Sequence, residues 1–116
     1  MKILLILNDA PYGIERTYNG LRLAGSLARQ EGAEVKVFLM GDAVTCARSG
    51  QKVPPGFYNT QSMLGAVARR GAGIGVCGTC IDARGVAETD LVEGARRSSL
   101  EELTAWTLEA EKVLVF

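Results

Sequence analysis

The chain has 116 residues, with thirteen Lys and Arg balancing thirteen Asp and Glu and no histidine at all. A neutral balance without a basic stretch argues against nucleic acid as a direct ligand, and the lack of histidine excludes Ser-His-Asp and Cys-His catalysis. The longest apolar run, Ile3 to Leu7, falls far short of the about 18 residues needed to span a membrane.

That run is also too short for a signal-peptide core, so the expectation is a soluble, cytoplasmic protein with no membrane partner. A chain of this length buries roughly 65% of its unfolded surface, enough for a single domain over residues 1–116 without staples. The charged fraction of 22% is low for so small a chain and points to surface covered by another subunit. Three cysteines, an odd number, do not form a secreted disulfide framework.

Lys2 to Leu7 is continuously apolar and closes at Asn8-Asp9-Ala10-Pro11. Continuous hydrophobicity predicts a strand buried on both faces, as in a parallel sheet. From Glu15 to Gln30, Tyr18, Leu21, Ala24, Leu27 and Ala28 recur at helical spacing, and Gly32 closes the helix. Gly20 and Gly25 inside it each cost about 1 kcal/mol relative to alanine, so they point to close packing on the sheet or on another subunit.

Glu34 to Met40 reads as the second strand, ending at Gly41-Asp42, and Ala43 to Ala47 as a short helix. Arg48 to Gly56 carries Gly50, Pro54, Pro55 and Gly56, which predicts a loop, the most flexible segment and a candidate lid. Asn59 to Arg70 is the next helix, capped by Asn59 or Thr60. Ile74 to Cys77 is a short third strand, followed by a turn and short helix from Gly78 to Ala83. Thr89 to Glu93 reads as a helical turn and Ala95 to Arg97 as a fourth strand. Ser98 or Ser99 caps a helix with Glu101 and Glu102 in its first turn, and Lys112 to Phe116 is the last strand. Strands alternating with helices define an α/β fold with helices on both faces of a mainly parallel sheet.

In such sheets ligands bind beyond the carboxyl ends of the strands. Three of those ends carry Asn8-Asp9, Gly41-Asp42 and Cys77, so one crevice would hold two carboxylates and a thiol. Asp9 and Asp42 fit that role or a plainer one as turn and cap residues. Cys77 opens the segment Cys77-Gly78-Thr79-Cys80, with Arg84-Gly85 close behind. Amides of Gly78, Thr79 and Cys80, with positive charge from Arg84, would lower the Cys77 pKa and make the thiolate nucleophilic. Gly73, Gly75 and Gly78 would leave the sulfur open. Cys80 fits a disulfide partner, a resolving thiol, a sulfur acceptor or simple packing, and Cys46, in an apolar context, fits a structural role.

Other readings fail. Gly73-Ile-Gly75-Val-Cys77-Gly78 matches GxGxxG literally, but a dinucleotide fingerprint follows its strand rather than lying within it. Three cysteines without histidine cannot complete a four-ligand zinc site from one chain. No metal and no organic cofactor are expected.

The sequence resembles the DsrE/DsrF-like family over nearly its whole length. The carrying motifs are Leu7-Asn8-Asp9-Ala10-Pro11-Tyr12-Gly13 with Glu15-Arg16, Tyr18-Asn19-Gly20-Leu21-Arg22-Leu23-Ala24, and Phe38-Leu39-Met40-Gly41-Asp42-Ala43-Val44. They continue with Gly56-Phe57-Tyr58-Asn59, Val76-Cys77-Gly78-Thr79-Cys80 and Ala83-Arg84-Gly85. The Cys-Gly-Thr-Cys and Arg-Gly element is most similar to the YchN-type branch. The resemblance implies a three-layer α/β/α sandwich around a mainly parallel five-stranded sheet, assembled as a homotrimer or homohexamer. It implies a sulfur-relay role in which Cys77 holds persulfide sulfur and exchanges it with donor and acceptor proteins. Cys80 departs from the single-cysteine relay pattern.

Three expectations therefore stand. The first is a sulfur carrier or sulfurtransferase-like protein acting through Cys77. The second is a dithiol redox protein using Cys77 and Cys80. The third is a non-enzymatic oligomer that binds a small ligand at the sheet edge.

Overall fold

In the computed structural model, which describes residues 1–116, the opening apolar run forms strand β1 (Lys2–Leu7). It pairs in parallel with β2 (Glu34–Leu39) on one side and with β5 (Lys112–Val115) on the other. β3 (Gly73–Cys77) pairs with β2, and β4 (Ala95–Ser98) pairs with β3, both in parallel. The sheet order is therefore β4-β3-β2-β1-β5. A parallel pair requires a crossover, and right-handed crossovers decide which face each helix covers.

Successive steps from β1 to β4 run in one direction, so α1 (Arg16–Leu27), α2 (Thr60–Arg69) and α3 (Gly78–Ala83) share a face. The last step reverses across the sheet, which puts α4 (Leu100–Glu109) on the other face. The period of two along β1 divides the core accordingly. Ile3, Leu5 and Leu7 pack with Leu21, Leu64, Val67 and Ile81, whereas Leu4 packs with Phe38, Leu103 and Trp106. The result is a three-layer α/β/α sandwich with a wholly parallel five-stranded sheet, as the sequence implied.

The second layer explains two glycines. A Cβ on Gly75 would lie 3.1 Å from Phe38, 3.2 Å from Ser98 and 3.2 Å from Trp106, and one on Gly73 would touch Trp106 at 3.8 Å. These positions make room for the indole, which meets Phe38 edge-on at 6.2 Å between ring centres. They do not serve to uncover Cys77. Gly20 is likewise a packing position within the chain: a Cβ there would come within 3.2 Å of Phe116 and closer still to Leu7. Gly25 has no such neighbour inside 3.9 Å.

Element ends shift modestly from the sequence reading. The first helix stops at Leu27, and residues 28–32 turn into Gly32. The stretch Gly41–Ala47 is one 3₁₀ segment rather than a helix starting at Ala43, and Glu88–Asp90 is a single 3₁₀ turn. Ser99 caps α4 by accepting from the Glu102 amide at 3.2 Å, and Asn59 caps α2 through the Ser62 amide at 3.1 Å.

The loop from Arg48 to Gly56 has no regular structure, yet Gln51 anchors it. Its side-chain amide donates to the carbonyls of Cys46 at 2.9 Å and Arg48 at 2.8 Å. Its Oε1 accepts from the hydroxyls of Tyr12 at 2.6 Å and buried Thr60 at 2.7 Å. Only the tip around Phe57 stands free, with that ring 71% exposed. Gln51 therefore ties the start of the loop to the 3₁₀ segment and to α2, while residues 52–56 have no regular structure.

Candidate functional site

Every parallel strand ends at the same edge, so the loops after β1, β2 and β3 and the end of β4 converge there. Cys77 is the last residue of β3 and the N-cap of α3, and Cys80 sits one turn into that helix. The i, i+3 spacing stacks the two side chains on one face. The two thiols act on each other electrostatically, Cys80 lowering the Cys77 pKa and Cys77 raising that of Cys80. The Thr79 hydroxyl lies 3.4 Å from the same sulfur. Both cysteines are partly exposed, whereas Cys46 is fully buried.

This placement divides the thiols electrostatically. Partial burial works against the Cys77 thiolate, but hydrogen bonds from the Cys80 thiol, the Thr79 hydroxyl and the Cys80 and Thr79 amides outweigh it and lower the pKa. For Cys80, burial and the hydrogen bond given to Cys77 raise the pKa, and the Gly41 amide and Arg84 only partly oppose them. Burial pushes the Cys46 thiol up to about 12, consistent with packing rather than chemistry.

The loop after β2 reaches the second sulfur. The Gly41 amide donates to Cys80 Sγ at 3.2 Å, from a backbone with φ +57° that favours glycine. Asp42 accepts from Arg84 Nε at 3.0 Å and Nη2 at 2.8 Å, and Arg84 Nη1 donates to the Cys80 carbonyl at 3.1 Å. Arg84 thus acts on Cys80 and not, as the sequence suggested, chiefly on Cys77. Asp9 serves the loop after β1: its carbonyl accepts from Thr17 Oγ1 at 2.7 Å. Arg16 Nε lies 3.1 Å from Asp9 Oδ2 without the alignment of a hydrogen bond, so that oxygen has ionic but no hydrogen-bonded partner. Neither of these contacts joins Asp9 to the thiols.

The cation beside Cys77 is Arg97, which sequence reading missed. The Cys77 charge is the smallest of the influences that raise the Arg97 pKa, after Asp82 and Glu88. Asp82 holds the guanidinium with two hydrogen bonds of 2.8 and 2.9 Å. A Cβ on Gly78 would lie 2.8 Å from that guanidinium, so Gly78 admits Arg97 to the mouth of the site. The signal for Arg97 is the strand register, in which Val76 faces Arg97 and Cys77 faces Ser98. Nothing local in the sequence encodes that pairing.

No three Cys, Asp or Glu side chains converge as a metal-binding set. A surface cleft of about 770 Å³ lies between α1 and α2 and is lined by Arg22, Arg29, Arg70, Leu23 and Met63 among others. It contains no cysteine. The thiol chemistry gives the stronger reason to place function at the strand edge, where two sulfurs stand partly open to solvent.

A parallel α/β/α sandwich with an N-capping cysteine at the end of its third strand defines the class, and the whole chain confirms it: residues 1–116 match the DsrE/DsrF-like family, to which the protein belongs. Among relatives, Protein YchN of Escherichia coli strain K12 is 44% identical over 116 residues, covering 99% of this chain and 98% of that one. Uncharacterized protein MJ0989 of Methanocaldococcus jannaschii is 40% identical over 116 residues and covers both chains fully. The crystal structure of YchN from E. coli superposes with a TM-score of 0.93 over 99% of this chain and 98% of that chain. Protein MTH1491 of Methanobacterium thermoautotrophicum shares the fold alone, with a TM-score of 0.75 at 15% identity over 99% and 97% of the two chains.

Proposed function

We propose that the protein is a cysteine-based sulfur carrier of the sulfurtransferase type. The observation that carries this reading is the partly exposed Cys77 sulfur at a strand end, 3.4 Å from the Thr79 hydroxyl, with its pKa lowered by Cys80, Thr79 and backbone amides. The Cys77 thiolate attacks the outer sulfur of a donor persulfide, R–S–SH. The sulfur–sulfur bond of the donor breaks, RS⁻ leaves and takes up a proton, and Cys77–S–SH forms. A thiolate of an acceptor protein then attacks the outer sulfur and restores Cys77. Each step exchanges a sulfur–sulfur bond, so no oxidant or cofactor is consumed.

Incubation with glutathione persulfide tests the reading by intact mass. The protein should gain one sulfur atom, and Cys77→Ser should lose that gain. A sulfur retained in Cys77→Ser contradicts the assignment. A second reading, a dithiol–disulfide redox protein, draws support from the placement of two partly exposed free thiols three residues apart at the start of α3. It requires Cys80 for every turnover, whereas the carrier needs only Cys77 to load.

The reading extends to assembly as a homotrimer or homohexamer. Its support is the edge strand β5, where Val113 and Val115 stay exposed on the α4 side, with Leu100 and Leu108 of α4 more than 70% exposed. Light scattering of the purified protein should give three or six times the chain mass. A monomer would contradict this part.

A further inference from the structure

We propose that Cys80 is a release thiol: it attacks the Cys77 sulfur of the Cys77 persulfide, closes a Cys77–Cys80 disulfide and expels the carried sulfur as hydrosulfide. This rests on the carrier reading and adds an activity to it, the reduction of sulfane sulfur to sulfide.

The geometry supplies two arguments. A carrier needs one thiol, yet the structure devotes a separate set of contacts to the second. The Gly41 amide meets Cys80 Sγ at 3.2 Å, and Arg84, itself held by Asp42, grips the Cys80 carbonyl at 3.1 Å. These groups hold Cys80 in place and put an amide donor and a cation where a Cys80 thiolate would need them. Next, Cys80 lies within the first turn of α3, three residues on from Cys77 at its N-cap, so it competes for a persulfide there as an intramolecular nucleophile. Such proximity gives effective concentrations far above those of a free acceptor.

The step balances. In Cys77–S–S⁻ plus Cys80–SH, the bond between the two sulfurs of the persulfide breaks and the Cys77–Cys80 bond forms. The Cys80 proton passes to the departing sulfur, which leaves as HS⁻. The outer sulfur gains two electrons, and the two cysteine sulfurs together lose two. A dithiol reductant then returns both cysteines to thiols for the next turn.

The experiment is a single turnover of the full chain with glutathione persulfide and no reductant, reading sulfide, free thiols and intact mass together. Wild type should release one sulfide per chain, lose two free thiols and carry no added sulfur. Cys80→Ser and Cys80→Ala should hold the added sulfur and release sulfide at least about tenfold more slowly. Arg84→Gln, which keeps both thiols, should load and then release more slowly. If wild type holds its persulfide as long as the Cys80 variants, with both thiols still titratable, the release role is wrong and the carrier stands. If neither wild type nor the Cys80 variants load sulfur, the carrier reading fails and the release step fails with it.

Discussion

The Gly41 amide donates to the Cys80 sulfur across 3.2 Å, which ties the loop after β2 to the second thiol of the pair and not to the first. Cys77 instead receives hydrogen bonds from within its own turn and has Arg97 of β4 beside it. Neighbouring strand ends therefore serve different sulfurs. The two thiols sit one helical turn apart and differ in acidity, which is the arrangement an attacking and a resolving thiol require.

That difference predicts a split titration. A thiol is an acid, so a lowered pKa gives more thiolate at neutral pH, and the alkylation rate rises with pH through the lowered value. Cys77 should reach half its maximal rate with iodoacetamide below the ordinary thiol range. Cys80 should do so above that range, and Cys46 should stay unreactive in the folded protein. Peptide mass mapping across a pH series checks this. Equal profiles for Cys77 and Cys80 would contradict the difference in acidity.

Arg97 should matter to Cys77 through charge. Arg97→Gln removes the guanidinium that Asp82 holds, so the Cys77 alkylation profile should shift to higher pH. Gly78→Ala should shift it the same way, because its Cβ displaces the guanidinium that lies 2.8 Å away. Raised salt should reproduce part of the shift, since the Arg97 side chain is 40% exposed. An unchanged profile in Arg97→Gln would remove Arg97 from the site.

Gly41→Ala should destabilise the fold by about 1 kcal/mol, the cost of an L side chain in the left-handed region. Its Cβ would also meet the Asn8 carbonyl oxygen at 3.4 Å. The amide should turn away from Cys80 and raise the pH at which that thiol reacts. Urea unfolding and Cys80 alkylation, measured on the same variant, check both effects. Loss of stability without any change at Cys80 would show that the amide contact has no chemical consequence.

Gln51→Ala should loosen the loop wall. It deletes the bonds donated to the Thr45, Cys46 and Arg48 carbonyls and the two accepted from Tyr12 and Thr60, and takes the Gln51 acceptor from the buried Thr60 hydroxyl. A loss of about 2 kcal/mol is expected from an unpaired buried hydroxyl and the missing net bonds. Limited proteolysis should then cut near Lys52, a site the anchored loop protects. Equal cleavage of wild type and variant would show that the loop is free without the mutation.

The layer order was readable because it rests on periodicity. The unbroken run of β1 predicted burial on both faces, and the spacing of Leu21, Ala24 and Leu64, Val67 predicted the helices that cover one of them. Cys77 and Cys80 were also readable, since a CxxC at a strand end is a local signal. What escaped was set by pairing between distant segments. Arg97 reaches Cys77 only through the β3–β4 register, and Gly41 reaches Cys80 across 39 positions. Gly75 looked like an opening for the thiol because Trp106, the side chain it accommodates, lies 31 residues further along the chain and on another element. The anchoring of the proline- and glycine-rich loop at Gln51 escaped because its composition does not show what that side chain binds.

The central claim is that Cys77 is the sulfur that carries. Fragment mass spectrometry of the tryptic peptide 71–84, which holds both candidate cysteines, tests it most directly. The protein would be Cys46→Ala, Cys80→Ser, isolated after exposure to glutathione persulfide and without reductant. The account predicts one added sulfur on Cys77. A peptide with no added sulfur under conditions that load a free thiol would contradict it.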